Sequence, residues 1–306
     1  MVIRLFLRPY RYVLKQIKRF SALIAACLCL TLAIFIIWDF YSVRIPIFGF
    51  HDIYSDETKT YQSTAPYLDY KTSDLKSFIV DLIHENYWFL SAKNIDDYFI
   101  SKRLAIPQEK KGHRAIALSF DDAYESVHTQ VLPILEAIED EYGIKIPIIL
   151  FLNSERMAGE SQKHPQQAHY LTCEQVQSGW ITGFYDLQSA GAAHRILTKD
   201  DPKTISEDLT KDQRWLHNCI KDVSNSAVIK NEDVGQHFAY PYNRVNLNVR
   251  QIVSRYYQTA YRYDRRLQRM GWTTRRYSIS RLGVDRKTPL WWMRWQAHRA
   301  SYLTIS

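Results

Sequence analysis

Ser119-Phe120-Asp121-Asp122 closes an apolar run, Ala115-Ile116-Ala117-Leu118, that reads as a buried strand. Two adjacent carboxylates at the end of such a strand repel each other and lose hydration if left dry. They either cap the next turn or share a cation or a proton. The local context weakens the capping option. Pro133 fits best in the first turn of a helix, where its missing N–H is not needed. That helix then starts near Thr129, which leaves 121–128 as a loop after the strand, and such loops often carry catalytic groups.

Outward from this stretch the pattern alternates between short apolar runs and helical periodicity. Ile45–Asp52, Ile146–Phe151, Phe184–Gln188 and His237–Tyr240 read as further strands, and Gln258–Tyr261 as another. Leu75, Phe78, Ile79, Leu82 and Ile83 recur at helical spacing after Thr72 and Ser73. A second, weaker helix covers 94–102. Helix 129–141 stops at Gly143, a short helix opens at Thr172, and Asp201-Pro202 starts a long one. A last helix runs from about Asn246 to Tyr256. The connections are too long for hairpins, so the fold class is α/β with a parallel sheet, open or closed into a barrel.

The net charge of +8 is unevenly spread. Residues 1–19 carry six cations and no acid, and 244–306 hold 14 Lys and Arg against Asp264 and Asp285, a net +12. The middle of the chain is therefore left at −10, which argues against a nucleic-acid-binding surface. Phe20 to Trp38 is an uncharged apolar run long enough to span a bilayer, with the cations on its N-terminal side. The expected organisation is a basic cytoplasmic segment 1–19, a transmembrane signal anchor 20–38 and one domain, 39–306, outside the cytoplasmic membrane. Cys27 and Cys29 fall inside the anchor. Cys173 and Cys219 lie outside it and can pair in an oxidising compartment, and their spacing excludes a cysteine zinc site. In the tail, Trp292 and Trp295 are expected to pack on the domain, with Trp291 left open.

Four motifs in order now carry a resemblance. Ser119-Phe120-Asp121-Asp122 resembles the T-F-D-D-G motif of polysaccharide deacetylases, the NodB-homology domain of carbohydrate esterase family 4. Asp186–His194 resembles that family's second motif, usually S-H-T-x-x-H, and Phe238-Ala239-Tyr240-Pro241-Tyr242-Asn243 its F-A-Y-P-Y-G variant. Ile45–Asp52 is similar to the start of the branch that deacetylates poly-N-acetylglucosamine. The resemblance covers roughly 45–285, with core motifs in 112–285. It implies a distorted (β/α) barrel with its site at the carboxyl ends of the strands. It also implies an extracytoplasmic hydrolase that removes N-acetyl groups from an amino-sugar polysaccharide with a divalent metal, zinc. On that likeness Asp121 is the base, and Asp122 and His194 are metal ligands. The Tyr242 N–H helps hold the oxyanion, and His51 protonates the leaving amine.

Four positions depart from the family pattern. Ala190 stands where the first metal histidine belongs, and a methyl cannot coordinate; Gln188 or Ser189 could offer only an oxygen. Ala123 and Asn243 replace glycines. The alanine is expected to be tolerated at negative φ, and the asparagine suits the left-handed region. Ala239 stands in place of the arginine that orients the base in other branches. His128, His164 and His169 read as solvated loop histidines rather than replacement ligands. A second function therefore stays open: a catalytically impaired homologue that binds glycan or a partner in exopolysaccharide export. A third is a membrane-surface binding protein that uses its Trp/Arg tail.

Overall fold

Residues 3–55, 67–160, 170–226, 231–271 and 274–303 are described by a computed structural model. His164 and His169 lie outside these residues. The chain divides into two units, Met1–Ser42 and Val43–Ser306. The first is one helix, α1 (Ile3–Tyr41), which runs three residues past Trp38. Its segment Gln16–Ile37 has 22 residues and a mean hydropathy of 2.8. At 1.5 Å per residue it is about 33 Å long, and it is apolar enough to cross a membrane. Its hydroxyls are satisfied inside the helix: Ser21 donates to the Lys18 carbonyl and Thr31 to that of Leu28.

The second unit is built on seven parallel strands. They are β1 (Ile47–Phe50), β2 (Arg114–Asp121), β3 (Ile148–Leu152), β4 (Tyr185–Ser189), β5 (His237–Ala239), β6 (Thr259–Tyr263) and β7 (Ile279–Gly283). Each pairs with the next in chain order, and β7 pairs with β1, so the sheet closes into a barrel. β2 has two neighbours along one edge: Tyr87–Phe89 beside its first half and β1 beside its second. Strand Ile45–Asp52 is interrupted at Pro46, which cannot donate to a ladder; Val43–Ile45 instead pairs antiparallel with Gln268–Met270. β7 has no counterpart among the expected strands. Its run Ile279-Ser-Arg-Leu-Gly carries a central arginine that breaks the apolar signal.

The alternation of side chains along β2 sorts the core into two layers. Ile116, Leu118 and Phe120 point outward into the cluster shared with the helices, while Ala115 and Ala117 point into the barrel beside Ile149 and Phe151 of β3. The outer layer meets α2 (Thr72–His84), α3 (Leu132–Tyr142), α4 (Cys173–Ile181) and α5 (Pro202–Ile220). The local signals behave as their chemistry requires. Pro133 sits in the first turn of α3 and Gly143 ends it at φ 67°. Thr172 and Gln175 form a reciprocal capping box on α4, and Asp201 caps α5 through the Lys203 and Thr204 amides. The expected start of α3 at Thr129 is a π-helical turn, Val127–Val131, and the weaker helix at 94–102 is likewise a π-helical turn, Ile95–Ile100. α6 (Leu247–Val253) and α7 (Leu290–His298) lie further along the chain. On α7, Trp292 packs edge-on against Phe48 as expected. Trp295 does not pack: it is 51 % exposed with the Arg299 guanidinium over its ring, and Trp291 is 66 % exposed.

Cys173, at the start of α4, is bonded to Cys219 near the end of α5, tying the two helices across a sequence separation of 46. Opening this bridge with a Cys173→Ser/Cys219→Ser pair should lower stability by about 2–4 kcal/mol, read as an earlier urea midpoint of the full-length chain in detergent micelles. Inside the barrel, His237 of β5 shares a 2.7 Å hydrogen bond with the Thr259 hydroxyl. Burial, helped by the positive field of Lys93, pushes its pKa down to about 3. The folded chain therefore keeps this ring neutral while the unfolded chain takes up a proton below its usual 6.5. That stability is complete above the unfolded value and is lost as pH falls toward the folded one. By about pH 5 the loss is about 2 kcal/mol, so His237→Gln should show a correspondingly shallower fall between about pH 7.5 and pH 5 in urea titrations.

Candidate active site

The period of β2 that turns Ala115 and Ala117 inward also turns Ser119 and Asp121 inward, at the carboxyl end of the barrel. From β7 the buried Arg281 reaches the same place. Its guanidinium donates to both Asp121 oxygens, at 2.6 and 2.8 Å, and to the Ser119 hydroxyl at 3.0 Å. The plane of the guanidinium lies against the rings of Phe151 and Tyr263, with centroids at 4.8 and 4.2 Å. Tyr263, at the end of β6, adds a hydrogen bond of 2.9 Å from its hydroxyl to Asp121. Burial works against the charge on Arg281, but Asp121 outweighs it and moves the guanidinium pKa further up. The ring of Tyr263 needs room, and Gly49 of β1 provides it: a Cβ there would collide with the ring.

Asn243 sets Tyr263 from below. Its side-chain amide exchanges two hydrogen bonds with the backbone of Tyr263, extending the sheet by one side chain. It does so at φ 57°, the left-handed conformation that asparagine tolerates best. Tyr242 beside it has φ 53° and His194 has φ 48°. Asp122 has φ 71° and Ala123 φ 58°, so the negative φ at which a methyl is easily tolerated is not adopted. Ala123 accommodates the strain because its backbone is anchored, accepting from the Leu171 amide while its methyl enters the core. Positive φ at five non-glycine residues around one cleft, at about 1 kcal/mol or more each, is strain held in place by the barrel.

The loop after β4 is equally fixed. Asn153, at the end of β3, donates to the carbonyls of Ala190 and Gly191, and Asp208 of α5 accepts from the Ala193 amide. These contacts aim His194 at Asp122, with Nε2 at 3.1 Å from Oδ1. A third group joins them. Arg156, on the turn following β3, places Nη1 at 2.9 Å from Asp122 Oδ2 and Nη2 at 2.9 Å from His194 Nδ1. A guanidinium only donates, so Nδ1 accepts and the ring proton rests on Nε2, facing the carboxylate. Burial pushes the Asp122 carboxyl up, but the His194 hydrogen bond and the nearby His194, His51 and Arg156 outweigh it. The carboxyl is held well below the usual range.

His51, Asp121, Asp122, Ala190, His194 and Tyr242 thus line one cleft of about 530 Å³. Tyr67, Tyr124, Tyr170, Tyr240 and Tyr263 form much of its remaining wall, a surface suited to the apolar faces of sugar rings. His51 stacks on Tyr263 with ring centroids 5.8 Å apart, and its Nδ1 has no hydrogen-bond partner. Tyr242 covers His194, with centroids 4.4 Å apart. The cleft brings together every site residue singled out in the sequence. The residues missed are Arg281, Tyr263 and Arg156. An arginine inside a strand-like run was the one available signal for the first, because a buried guanidinium requires a carboxylate. Nothing local marked Tyr263 or Arg156.

The residues present do not fit a divalent ion. Among the described residues no group of three His, Cys, Asp or Glu side chains converges. Ala190 lines the cleft with a methyl, and the remaining pair, Asp122 and His194, already turn their lone pairs to Arg156 or to each other. The pair on the other side of the cleft is a separate structural unit. Removing Arg281 alone, as in Arg281→Met, should destabilise the chain by about 3–5 kcal/mol by stranding a buried carboxylate. Adding Asp121→Asn should recover a large part of that loss in a double-mutant cycle measured by urea unfolding; additive losses would show that the two groups are not coupled.

Residues 108–261, half of the chain, match the family model described as polysaccharide deacetylase. No curated protein sequence matches the chain. Its structure is similar to that of a polysaccharide deacetylase from Bacillus cereus, with 16% identity and a TM-score of 0.65 over 84% of this chain and 70% of that one. A Streptococcus pyogenes deacetylase solved with acetate gives 17% identity and 0.65, over 84% of this chain and 99% of the other. IcaB from Ammonifex degensii gives 14% and 0.61, over 83% and 97%. At such identities these likenesses establish the fold, a closed seven-strand barrel. With the family match over half its length, the chain belongs to the polysaccharide deacetylase family, hydrolases that act on the amide bonds of polysaccharides.

Proposed function

We propose that this chain removes N-acetyl groups from an amino-sugar polysaccharide outside the cytoplasmic membrane, to which α1 anchors it. The observation that carries the reading is Asp121, held by Arg281 and Tyr263 at the floor of a tyrosine-lined cleft that His51 also faces. In this reading a sugar lies along the tyrosines with its acetamido group pointing down. Asp121 takes the proton of a water that attacks the carbonyl carbon. The Tyr242 N–H, on a backbone held in the left-handed region, and the cationic side of the cleft receive the carbonyl oxygen. His51 gives a proton to the nitrogen as the carbon–nitrogen bond breaks, leaving a free amine and acetate. The branch likeness of Ile45–Asp52 points to poly-N-acetylglucosamine as the substrate. Six cations ahead of the apolar run of α1 and a disulfide in the second unit both support an extracytoplasmic, oxidising setting.

One observation favours a second reading. Arg156 closes on Asp122 and His194, and Ala190 removes a ligand, which suits a homologue that binds glycan, or an export partner, without hydrolysing it. Acetate release from N-acetylglucosamine oligomers separates the two. The hydrolytic reading expects release by the full-length chain in detergent micelles, and a loss of about a thousandfold or more in Asp121→Asn. Oligomer binding by tryptophan fluorescence with no acetate released would establish the second reading instead.

A further inference from the structure

We infer that Arg156 is the resident cation of this cleft, built into the chain where the family pattern calls for an exchangeable metal ion, and that it receives an acyl oxygen, the acetyl carbonyl or the acetate product. The first half of this inference stands on geometry alone, and the identity of the acyl oxygen rests on the deacetylase reading above. Arg156 is no surface arginine resting over a pocket. Its side chain is 20 % exposed, and it closes a three-membered ring of contacts with Asp122 and His194, at 2.9, 2.9 and 3.1 Å. Within that ring, Asp122 Oδ1 faces the His194 N–H, Asp122 Oδ2 faces Nη1, and the lone pair of His194 Nδ1 faces Nη2. A metal ion would have to displace a fixed positive charge from both of its remaining ligands, with no third ligand in return.

The guanidinium also keeps capacity for a ligand. Arg156 carries five N–H donors, and its contacts with Asp122 Oδ2 and His194 Nδ1 engage one on each terminal nitrogen. A cationic N–H not taken up by such a pair is a ready donor to a carbonyl or carboxylate oxygen. The surroundings reinforce this: Arg156 and His194 line both the tyrosine cleft and a neighbouring cavity of about 520 Å³ over Glu155, Ala158 and Gly159. A ligand oxygen entering the tyrosine cleft therefore meets Arg156 in its lining. The two features that look like separate losses, Ala190 and the crowding by Arg156, then belong to one exchange of cation.

The exchange makes the two positions interdependent, which metal binding can read without any activity. The probe is cobalt(II) alone, added to the full-length chain in detergent micelles and followed by its visible d–d absorption. The wild-type chain should hold no stoichiometric cobalt, and its melting temperature should not change with EDTA. Ala190→His should gain little, because Arg156 still occupies the ligands. Arg156→Ala/Ala190→His should bind cobalt on the order of a hundredfold more tightly than Ala190→His, with a tetrahedral spectrum. Arg156→Gln/Ala190→His serves the same purpose with a side chain closer in size, should the alanine pair fold poorly. One equivalent of cobalt retained by the wild-type chain through gel filtration, or equal affinity in Ala190→His and the double variants, would overturn the inference. Sodium acetate titrated into the metal-free chain tests the second half. Arg156→Gln should weaken acetate binding about tenfold, the loss of one charge-assisted hydrogen bond, and an unchanged affinity would overturn that half. A chain that passes the cobalt test yet releases no acetate from oligomers leaves Arg156 as the resident cation and sinks the deacetylase reading alone.

Discussion

The bidentate pair between Arg281 and Asp121 is the constraint around which the barrel's upper end is organised. Two opposite charges buried together are stable only if geometry and hydrogen bonds repay their desolvation. Here the repayment comes from four strands at once. β2 supplies Asp121 and Ser119, β7 the arginine, β6 the tyrosine that adds a third hydrogen bond to the carboxylate, and β3 the Phe151 ring against the guanidinium. β1 contributes by an absence, since only glycine at 49 leaves room for Tyr263. The pair thus ties the last strand of the barrel, β7, to the second, across β1.

Around that fixed core the second carboxylate sits in a different setting. Asp122 lies outside the strand register, on a loop with φ 71°, and its partners come from loops: His194 after β4 and Arg156 after β3. The adjacent acids are therefore separated by function as well as by direction. One is locked by side chains of the sheet and the other is balanced by residues that loop changes can alter. This division explains how a family site can lose a ligand at 190 and gain a cation at 156 while the barrel stays intact.

The sequence displayed much of this and concealed the rest for physical reasons. The parallel barrel was legible because its strands are short apolar runs divided by capped helices, and capping chemistry is local. The cleft residues were legible through the ordered motifs, and Ala190 stood out as a gap. The cation that faces that gap was not, because Arg156 lies 34 residues earlier in an unremarkable polar turn, and only the fold brings it across to His194. β7 was hidden by Arg281 itself, whose charge breaks the hydrophobic pattern of a strand that is buried only because Asp121 receives it. Ala123 shows a subtler limit. A methyl in place of the glycine is easiest to accept at negative φ, but the loop anchored through Leu171 holds Ala123 at φ 58°.

The inward turn of alternate residues along β2 has one more consequence. Ala115, Ala117, Ser119 and Asp121 share a face only while the strand keeps its count. A single inserted or deleted codon between 114 and 121 would send the carboxylate among the helices and bring Phe120 into the throat, so that one slip would invert the whole row. Substitutions at 156 or 190 retune the pocket; a one-residue shift of register in this strand abolishes it. The reading frame of a single strand is in that sense as much a part of the pocket as any side chain in it.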